Sequence, residues 1–280
     1  MSLDNCAIDG TTQRALAAHQ AERDGWLFAM TERLLADVRV VAAWLFGSLG
    51  RGDADALSDI DLFVIVPDSE FIEVVSQRYA YMAQIATPLL VLEAPQNWPP
   101  GGVYNMALYP GKHGPHQVDW YWVRQSQARV PTETRLLFDR VVLPRLDHPT
   151  HFDYAPVPER PAAEVASQAV NLFWVMWFIA AKYTARTPWQ EPLAILKWVP
   201  SSLQEVADFV ETTVTVDLAE GTYPSPQAKL GRLRELATAM QAIMPQVVAK
   251  GGYIPEQIVP YAHTYLTLIE AISLASVKPT

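Results

Sequence analysis

The order of hydrophobic and polar positions predicts a helix and then two buried strands at the start of the chain. Over Thr12–Asp37 apolar residues recur at mostly three-to-four spacing, which is typical of one face of a helix. The next two apolar stretches, "VRVVAAWLFG" and "DLFVIVP", are continuous rather than periodic. Because a strand that is covered on both faces shows no alternation, each stretch predicts a buried strand.

Shorter elements are predicted up to residue 146. Segment 68–86 is amphipathic and predicts a helix with Asp68 and Ser69 as candidate N-caps. "PLLVLE" predicts a strand, and "VYNMALY" and "HQVDWYWV" predict two strands joined by the hairpin loop "PGKHGP". A short helix is predicted around Thr132–Leu136, before the last apolar segment of this half, "LLFDRVVLP".

The composition and the hydrophobic pattern of the sequence change after residue 146. The stretch Asp147–Pro161 holds four prolines in fifteen residues, which predicts an extended linker. Beyond it the pattern predicts helices over Ala162–Arg186, Leu193–Lys197, Ser202–Thr213, Ser225–Met244 and Pro255–Ser276. The sequence thus predicts an α+β protein, with a mixed α/β domain over residues 1–146, a proline-rich linker over 147–161 and a helical bundle domain over 162–280.

Composition narrows the functional classes. Lys plus Arg number 21 against 30 for Asp plus Glu, a formal net charge of −9, which argues against nucleic acid as a partner because phosphate binding needs a basic surface. The single cysteine, Cys6, excludes disulfides within the chain and fits a reducing cytosol. The N-terminus shows no secretion signal, and the most apolar window, Leu172–Ala181, is about half as long as a membrane span. We therefore expect a cytoplasmic protein with no membrane partner.

The candidate chemistry lies between the two predicted strands, in "FGSLGRGDADALSDIDLFVIV". Asp59 and Asp61 are two positions apart, so on a strand their side chains leave the same face and repel each other. A divalent cation such as Mg²⁺ removes this conflict because it prefers carboxylate oxygens as ligands. Two solvated acids at an exposed strand start are the alternative interpretation.

The glycine-rich turn before these acids fits none of three common loops. A phosphate-binding P-loop needs G-K-[ST], which is absent. A dinucleotide-binding G-x-G-x-x-G that starts at Gly50 would need a third glycine where Asp55 stands, and a strand rather than a helix follows. The G-x-S-x-G of a hydrolase elbow is also absent.

The whole stretch resembles the signature of the polymerase-β-like nucleotidyltransferase superfamily, which reads roughly G-S, a short helix and then [D/E]-x-[D/E]. The positions that match this pattern are Gly47, Ser48, Gly50, Arg51, Gly52, Ser58, Asp59, Ile60, Asp61 and Leu62. The resemblance covers about Trp26–Leu146, and "LLFDRV" is similar to the closing segment of this domain in small-molecule nucleotidyltransferases.

The resemblance implies a short mixed sheet with helices, and transfer of a nucleotidyl group from a nucleoside triphosphate such as ATP. Asp59 and Asp61 would hold two Mg²⁺ ions, and a substrate hydroxyl would attack the α-phosphate with release of pyrophosphate. Asp119, in "QVDWYWV", would be the third carboxylate, both a metal ligand and the acceptor of the hydroxyl proton. The implied contacts to the nucleotide come from Gly47, Ser48, Arg51 and Ser58.

The helical half and the acidic charge favour a small-molecule acceptor. The chain is most similar to the aminoglycoside nucleotidyltransferase group, where a helical second domain contacts the acceptor and supplies a phosphate-binding lysine. Lys182 and Lys197 are the candidates for that lysine. Two alternatives stay open: an RNA- or protein-directed nucleotidyltransferase with the same catalytic half, and a non-enzymatic antitoxin-like protein. A homodimer is compatible with each of them.

Two further features carry weaker signals. His113 and His116 are three residues apart beside Asp119 and suggest a zinc site, but they lack a fourth ligand in the sequence. Glu93, at the end of "PLLVLE", is an alternative proton acceptor, although an acid at the end of a strand needs no function.

Overall fold

The structure is a computed structural model that describes residues 8–146, 159–189, 194–216 and 223–275. By their internal contacts the described residues divide into two compact units. The sheet unit comprises residues 18–111 and 116–146, and the helical unit comprises residues 8–17, 112–115 and those from 159 onward. The predicted linker, 147–161, lies outside the described residues except for its last three, so its role as the connection stays a prediction.

The sheet unit contains six strands in the order β3-β4-β5-β2-β1-β6. The strands are β1 (Ala42–Phe46), β2 (Ile60–Val66), β3 (Leu90–Glu93), β4 (Gly102–Tyr109), β5 (His116–Arg124) and β6 (Arg135–Asp139). The central strands β2 and β5 run parallel, and all other neighbours in the sheet are antiparallel. The mixed sheet is therefore confirmed.

Helices cover one face of this sheet. They are α1 (Gly10–Ala36), the five-residue α2 (Gly47–Arg51), α3 (Phe71–Ser76) and α4 (Arg78–Ile85). Apolar side chains of α1, α3 and α4 join a core with alternate residues of the central strands, including Leu62, Val64, Val118, Trp120 and Trp122. Because side chains alternate along a strand, the residues between them project from the opposite face. Asp61 and Asp119 are among those residues.

Three local predictions for this unit are wrong. Residues 132–136 are not a helix, because Arg135–Asp139 pairs with β1 as an edge strand and this pairing overrides the local pattern. The helix predicted over 68–86 is broken at Gln77 into α3 and α4. Neither Asp68 nor Ser69 is its N-cap, since that position is Glu70, and the Asp68 carboxylate instead accepts a hydrogen bond of 3.0 Å from the Ser126 N–H.

The helical unit confirms the helical C-terminal half. Its helices are α5 (Ala162–Arg186), α6 (Trp198–Val210), α7 (Pro226–Ala249) and α8 (Ile258–Ala275), and α5 packs against each of the other three. Trp174 and Trp177 of α5 are buried, and the Trp177 indole N–H donates to the Leu233 carbonyl at 2.8 Å. Among the described helices, α5 is long and apolar enough to cross a membrane by length and composition alone, a test that a buried core helix also passes.

Candidate functional site

The sheet brings two of the three predicted carboxylates side by side. Asp61 on β2 is the register partner of Asp119 on β5, and these strands are parallel neighbours. Paired positions on neighbouring strands are about 4.8 Å apart and their side chains leave the same face. Asp59 lies just before β2, which begins at Ile60, and it is half-buried like Asp61, whereas Asp119 is buried.

The pKa of Tyr121 shows that the negative charges of all three aspartates act on the same side chain. Burial raises the pKa of the Tyr121 phenol well above its ordinary value, and the negative charges of Asp119, Asp61 and Asp59 raise it further. Tyr121 follows Asp119 by two positions and therefore projects from the same face of β5. Its ring stacks on Phe63 at 4.4 Å between centroids, so the carboxylates border a buried aromatic row.

The predicted turn lies against Asp61. β1 ends at Phe46, whose register partner is Asp61, and α2 starts at the next residue, Gly47. Gly47 has a φ of +60°, and a Cβ built on it would come within 2.1 Å of Asp61 Oδ2. Glycine suits this position because a side chain would strain the left-handed backbone and would come too close to the carboxylate. Ser48 is half-buried in the first turn of α2.

The loop that carries Asp59 is held by its own hydrogen bonds and by α1. The Ser58 hydroxyl donates to Asp55 Oδ1 and accepts from the Asp55 N–H, both at 3.0 Å. The buried guanidinium of Arg23 donates to the carbonyls of Asp55 at 2.6 Å and Ser58 at 3.5 Å. These contacts give Ser58 a clear role in shaping the loop, whereas its predicted contact to a nucleotide stays a prediction.

The Asp119 carboxylate has a partner that the sequence interpretation missed. The Gln117 side-chain amide donates to Asp119 Oδ1 at 3.1 Å and to Oδ2 at 3.3 Å. Gln117 is two positions before Asp119 on β5, so the alternation of the strand was the signal that could have found it. Arg23 offered no such signal, because it lies 32 residues from Asp55 in the chain.

The donor set fits the divalent cation that the resemblance implies. Asp59, Asp61 and Asp119 offer carboxylate oxygens, the ligands that Mg²⁺ prefers, and two of them are direct neighbours on the sheet. The Gly47 backbone lies close to Asp61 Oδ2, where any side chain would collide with this oxygen. These three residues would hold the metal.

The three other residues predicted to contact the nucleotide lie outside this carboxylate group. Arg51, at the end of α2, is exposed and forms an ion pair with Asp53 at 3.2 Å. Lys182 and Lys197 belong to the helical unit, where Lys182 is buried on α5 and Lys197 is exposed with its ammonium 5.5 Å from the Trp198 ring centroid.

The structure gives Glu93 and His116 partners that the sequence did not predict. The Glu93 carboxylate accepts hydrogen bonds from Arg78 and from the Tyr79 hydroxyl, which favours a structural role for it. His116 belongs to a compact group of potential metal ligands, but its partners are His19 and Glu22 of α1 rather than His113.

Burial lowers the pKa of His116 to about 4, and the nearby charge of Arg23 lowers it in the same direction. The Glu22 carboxylate, with Oε2 at 3.3 Å from His116 Nε2, favours the protonated ring but does not outweigh these two effects. At neutral pH the His116 imidazole is therefore neutral.

Comparison with known proteins agrees with this site. Residues 30–94 match the family model of the nucleotidyltransferase domain. This range includes the Gly47–Ser48 turn, Asp59 and Asp61, and it ends before β5 with Asp119. No curated protein matches the chain. The segment 30–94 is therefore similar to nucleotidyltransferase domains, and this similarity supports the polymerase-β-like superfamily that the signature indicates.

Proposed function

We propose that this protein is a metal-dependent nucleotidyltransferase that moves a nucleoside monophosphate, AMP from ATP, onto a hydroxyl group of a small molecule. The observation that carries the proposal is the pairing of Asp61 with Asp119 on parallel strands, with Asp59 beside them and with Gly47 packed against Asp61. Two neighbouring acids on one sheet face destabilise an ordinary sheet, so their placement points to a bound cation.

In the proposed reaction the acceptor hydroxyl oxygen forms a bond to the α-phosphorus of the triphosphate. The bond from that phosphorus to the oxygen that bridges it to the β-phosphate breaks, and pyrophosphate leaves. The Asp119 carboxylate takes the hydroxyl proton, and the two Gln117 hydrogen bonds hold that carboxylate in position. Mg²⁺ bound by the three aspartates would neutralise charge on the attacking and leaving oxygens.

The contacts to the triphosphate follow from the family signature. The Gly47 and Ser48 backbone N–H groups and the Ser48 hydroxyl bind its phosphate tail, with Arg51 at the end of the same short helix. Lys182 and Lys197 stay the proposed candidates for the phosphate-binding lysine.

The acceptor class is proposed from charge and composition. A net charge of −9 attracts positively charged small molecules, and aminoglycoside-like antibiotics combine positive charge with several hydroxyl groups. The match to the nucleotidyltransferase domain supports the reaction type, and the substrate has to come from experiment.

The direct test is to incubate the protein with Mg²⁺, each of the four nucleoside triphosphates and a panel of aminoglycosides and other hydroxylated compounds, and to measure pyrophosphate. Asp61→Asn should abolish the signal, and Asp208→Asn, which changes an exposed acid on α6, should leave it intact. Absence of both pyrophosphate release and Mg²⁺-dependent nucleotide binding by the unsubstituted protein would overturn the proposal.

A further inference from the structure

A second set of potential metal ligands lies in the sheet unit and shares no residue with the three aspartates. His19 and Glu22 are three positions apart on α1, and His116 is the first residue of β5. One ligand atom from each of the three residues lies within 4.8 Å of the other two. The rings of His19 and His116 stack with centroids 4.2 Å apart and planes at 24°, and His116 Nε2 is 3.3 Å from Glu22 Oε2.

We propose that His19, Glu22 and His116 bind a divalent transition metal, and that Zn²⁺ is the preferred ion. Two imidazoles and one carboxylate are a donor set typical of zinc, whereas Mg²⁺ takes oxygen ligands. Zinc bonds of about 2.1 Å place the ligand atoms of one tetrahedral site roughly 3.4 Å apart. Side-chain rotations that shorten these separations by up to about 1.4 Å bring atoms that already lie within 4.8 Å of one another to that spacing.

The burial of the three residues supports an open site rather than a closed structural one. His19 and His116 are buried, while the Glu22 side chain is 36% exposed. A metal can therefore enter past Glu22 and keep a water molecule as its fourth ligand on that side. Three protein ligands with a water molecule in the fourth position are typical of open zinc sites, whereas structural sites have four protein ligands.

A metal bound by His19, Glu22 and His116 would connect two elements of the sheet unit. It ties the middle of α1 to the start of β5, the strand that carries Asp119 three residues later. Arg23, which follows Glu22 on α1, already holds the carbonyls of Asp55 and Ser58 next to Asp59. A bound metal thus fixes α1, which contacts the loop before Asp59, against β5.

The experiment measures Zn²⁺ binding to the full chain by calorimetry, after removal of metals with a chelator and in excess Mg²⁺, which occupies oxygen-ligand sites. We expect one Zn²⁺ per chain and a higher unfolding temperature when Zn²⁺ is bound. Glu22→Gln and His19→Gln should each weaken Zn²⁺ binding by at least about 100-fold, because even residues that only support a ligand cost 10–100-fold.

Two matched variants serve as controls. Glu32→Gln changes an exposed acid on α1 outside the group, and His113→Gln changes a histidine of the β4–β5 loop outside the group. Both should bind Zn²⁺ as the unsubstituted protein does. Because Glu22 is partly exposed, Glu22→Gln tests the site even if His19→Gln fails to fold. Binding below one Zn²⁺ per chain, or equal affinity in Glu22→Gln and Glu32→Gln, would show that the three residues are only a packed side-chain cluster.

Discussion

Replacing Gly47 with alanine should disable the candidate active site through a single methyl group. The new Cβ would stand 2.1 Å from Asp61 Oδ2, whereas favourable contact between heavy atoms starts at about 3.5 Å. The carboxylate oxygen therefore has to retreat by more than about 1 Å. The backbone adds a second cost, because alanine at a φ of +60° loses about 1–2 kcal/mol relative to glycine.

The chain offers a matched control that separates these two effects. Gly52 ends α2 with a φ of +81°, but a Cβ built on it meets nothing within 4 Å. Gly52→Ala therefore carries a similar backbone strain without the contact to Asp61. Both variants should lose about 1–2 kcal/mol in the free energy of unfolding, and Gly47→Ala should lose somewhat more.

The functional readout should differ sharply between the two variants. A displacement of about 1 Å in a group that positions the reacting atoms can cost about 100-fold in rate. We expect Gly47→Ala to lose about that factor in pyrophosphate release and to bind nucleotide weakly with Mg²⁺, as measured by calorimetry. Gly52→Ala should stay within a few-fold of the unsubstituted protein. Equal nucleotide binding and turnover in the two variants would refute the link between the turn and Asp61.

Three further predictions concern the carboxylates, a buried histidine and the connection between the halves. Asp119→Asn should retain much of the Mg²⁺-dependent nucleotide binding but lose turnover by a factor of about 10²–10⁴. Asp59→Asn should weaken both nucleotide binding and turnover. Normal turnover of Asp119→Asn in the pyrophosphate assay would show that Asp119 is not the proton acceptor. The pKa of His116 is about 4 in the folded protein and about 6.5 in the unfolded chain. Because the unfolded chain binds this proton first as the pH falls, the free energy of unfolding should decrease by about 3 kcal/mol between pH 6.5 and pH 4. Urea unfolding across this range, with chelator present, should show a shallower loss for His116→Asn, and identical slopes would contradict the assignment. Limited proteolysis should cut first within Asp147–Pro161, and first cleavage inside α5 would move the boundary.

Local pattern was sufficient for most of the elements. Continuous apolar runs identified β1 and β2, three-to-four spacing identified α1 and α5, and the loop between β4 and β5 was read from its glycine and proline residues. These elements follow from burial and turn chemistry, both of which depend on near neighbours in the chain. The pair Asp59 and Asp61 with the turn at Gly47 was visible for the same reason, since the whole signature lies within fifteen residues.

Other features depend on partners that are distant in the chain. β6 is a strand because its backbone pairs with β1, although the local pattern around Thr132–Leu136 predicted a helix. The pairing of Asp61 with Asp119 rests on the parallel register of β2 and β5, which are separated by 49 residues between Val66 and His116. Backbone pairing between strands has no signature in either strand alone, so only the folded sheet determines it.

The sequence by itself determined which residues could do chemistry: carboxylates in a D-x-D pair, a glycine–serine turn and an acid on a later apolar strand. Only the tertiary structure decided which of them meet. It paired Asp119 with Asp61, supplied Gln117 as a hydrogen-bond donor to Asp119, and gave His116 the partners His19 and Glu22 in place of His113. The physical reason is that the sequence records the type of each side chain and its local spacing, whereas contacts between distant residues arise from strand register and from helices packed on the sheet.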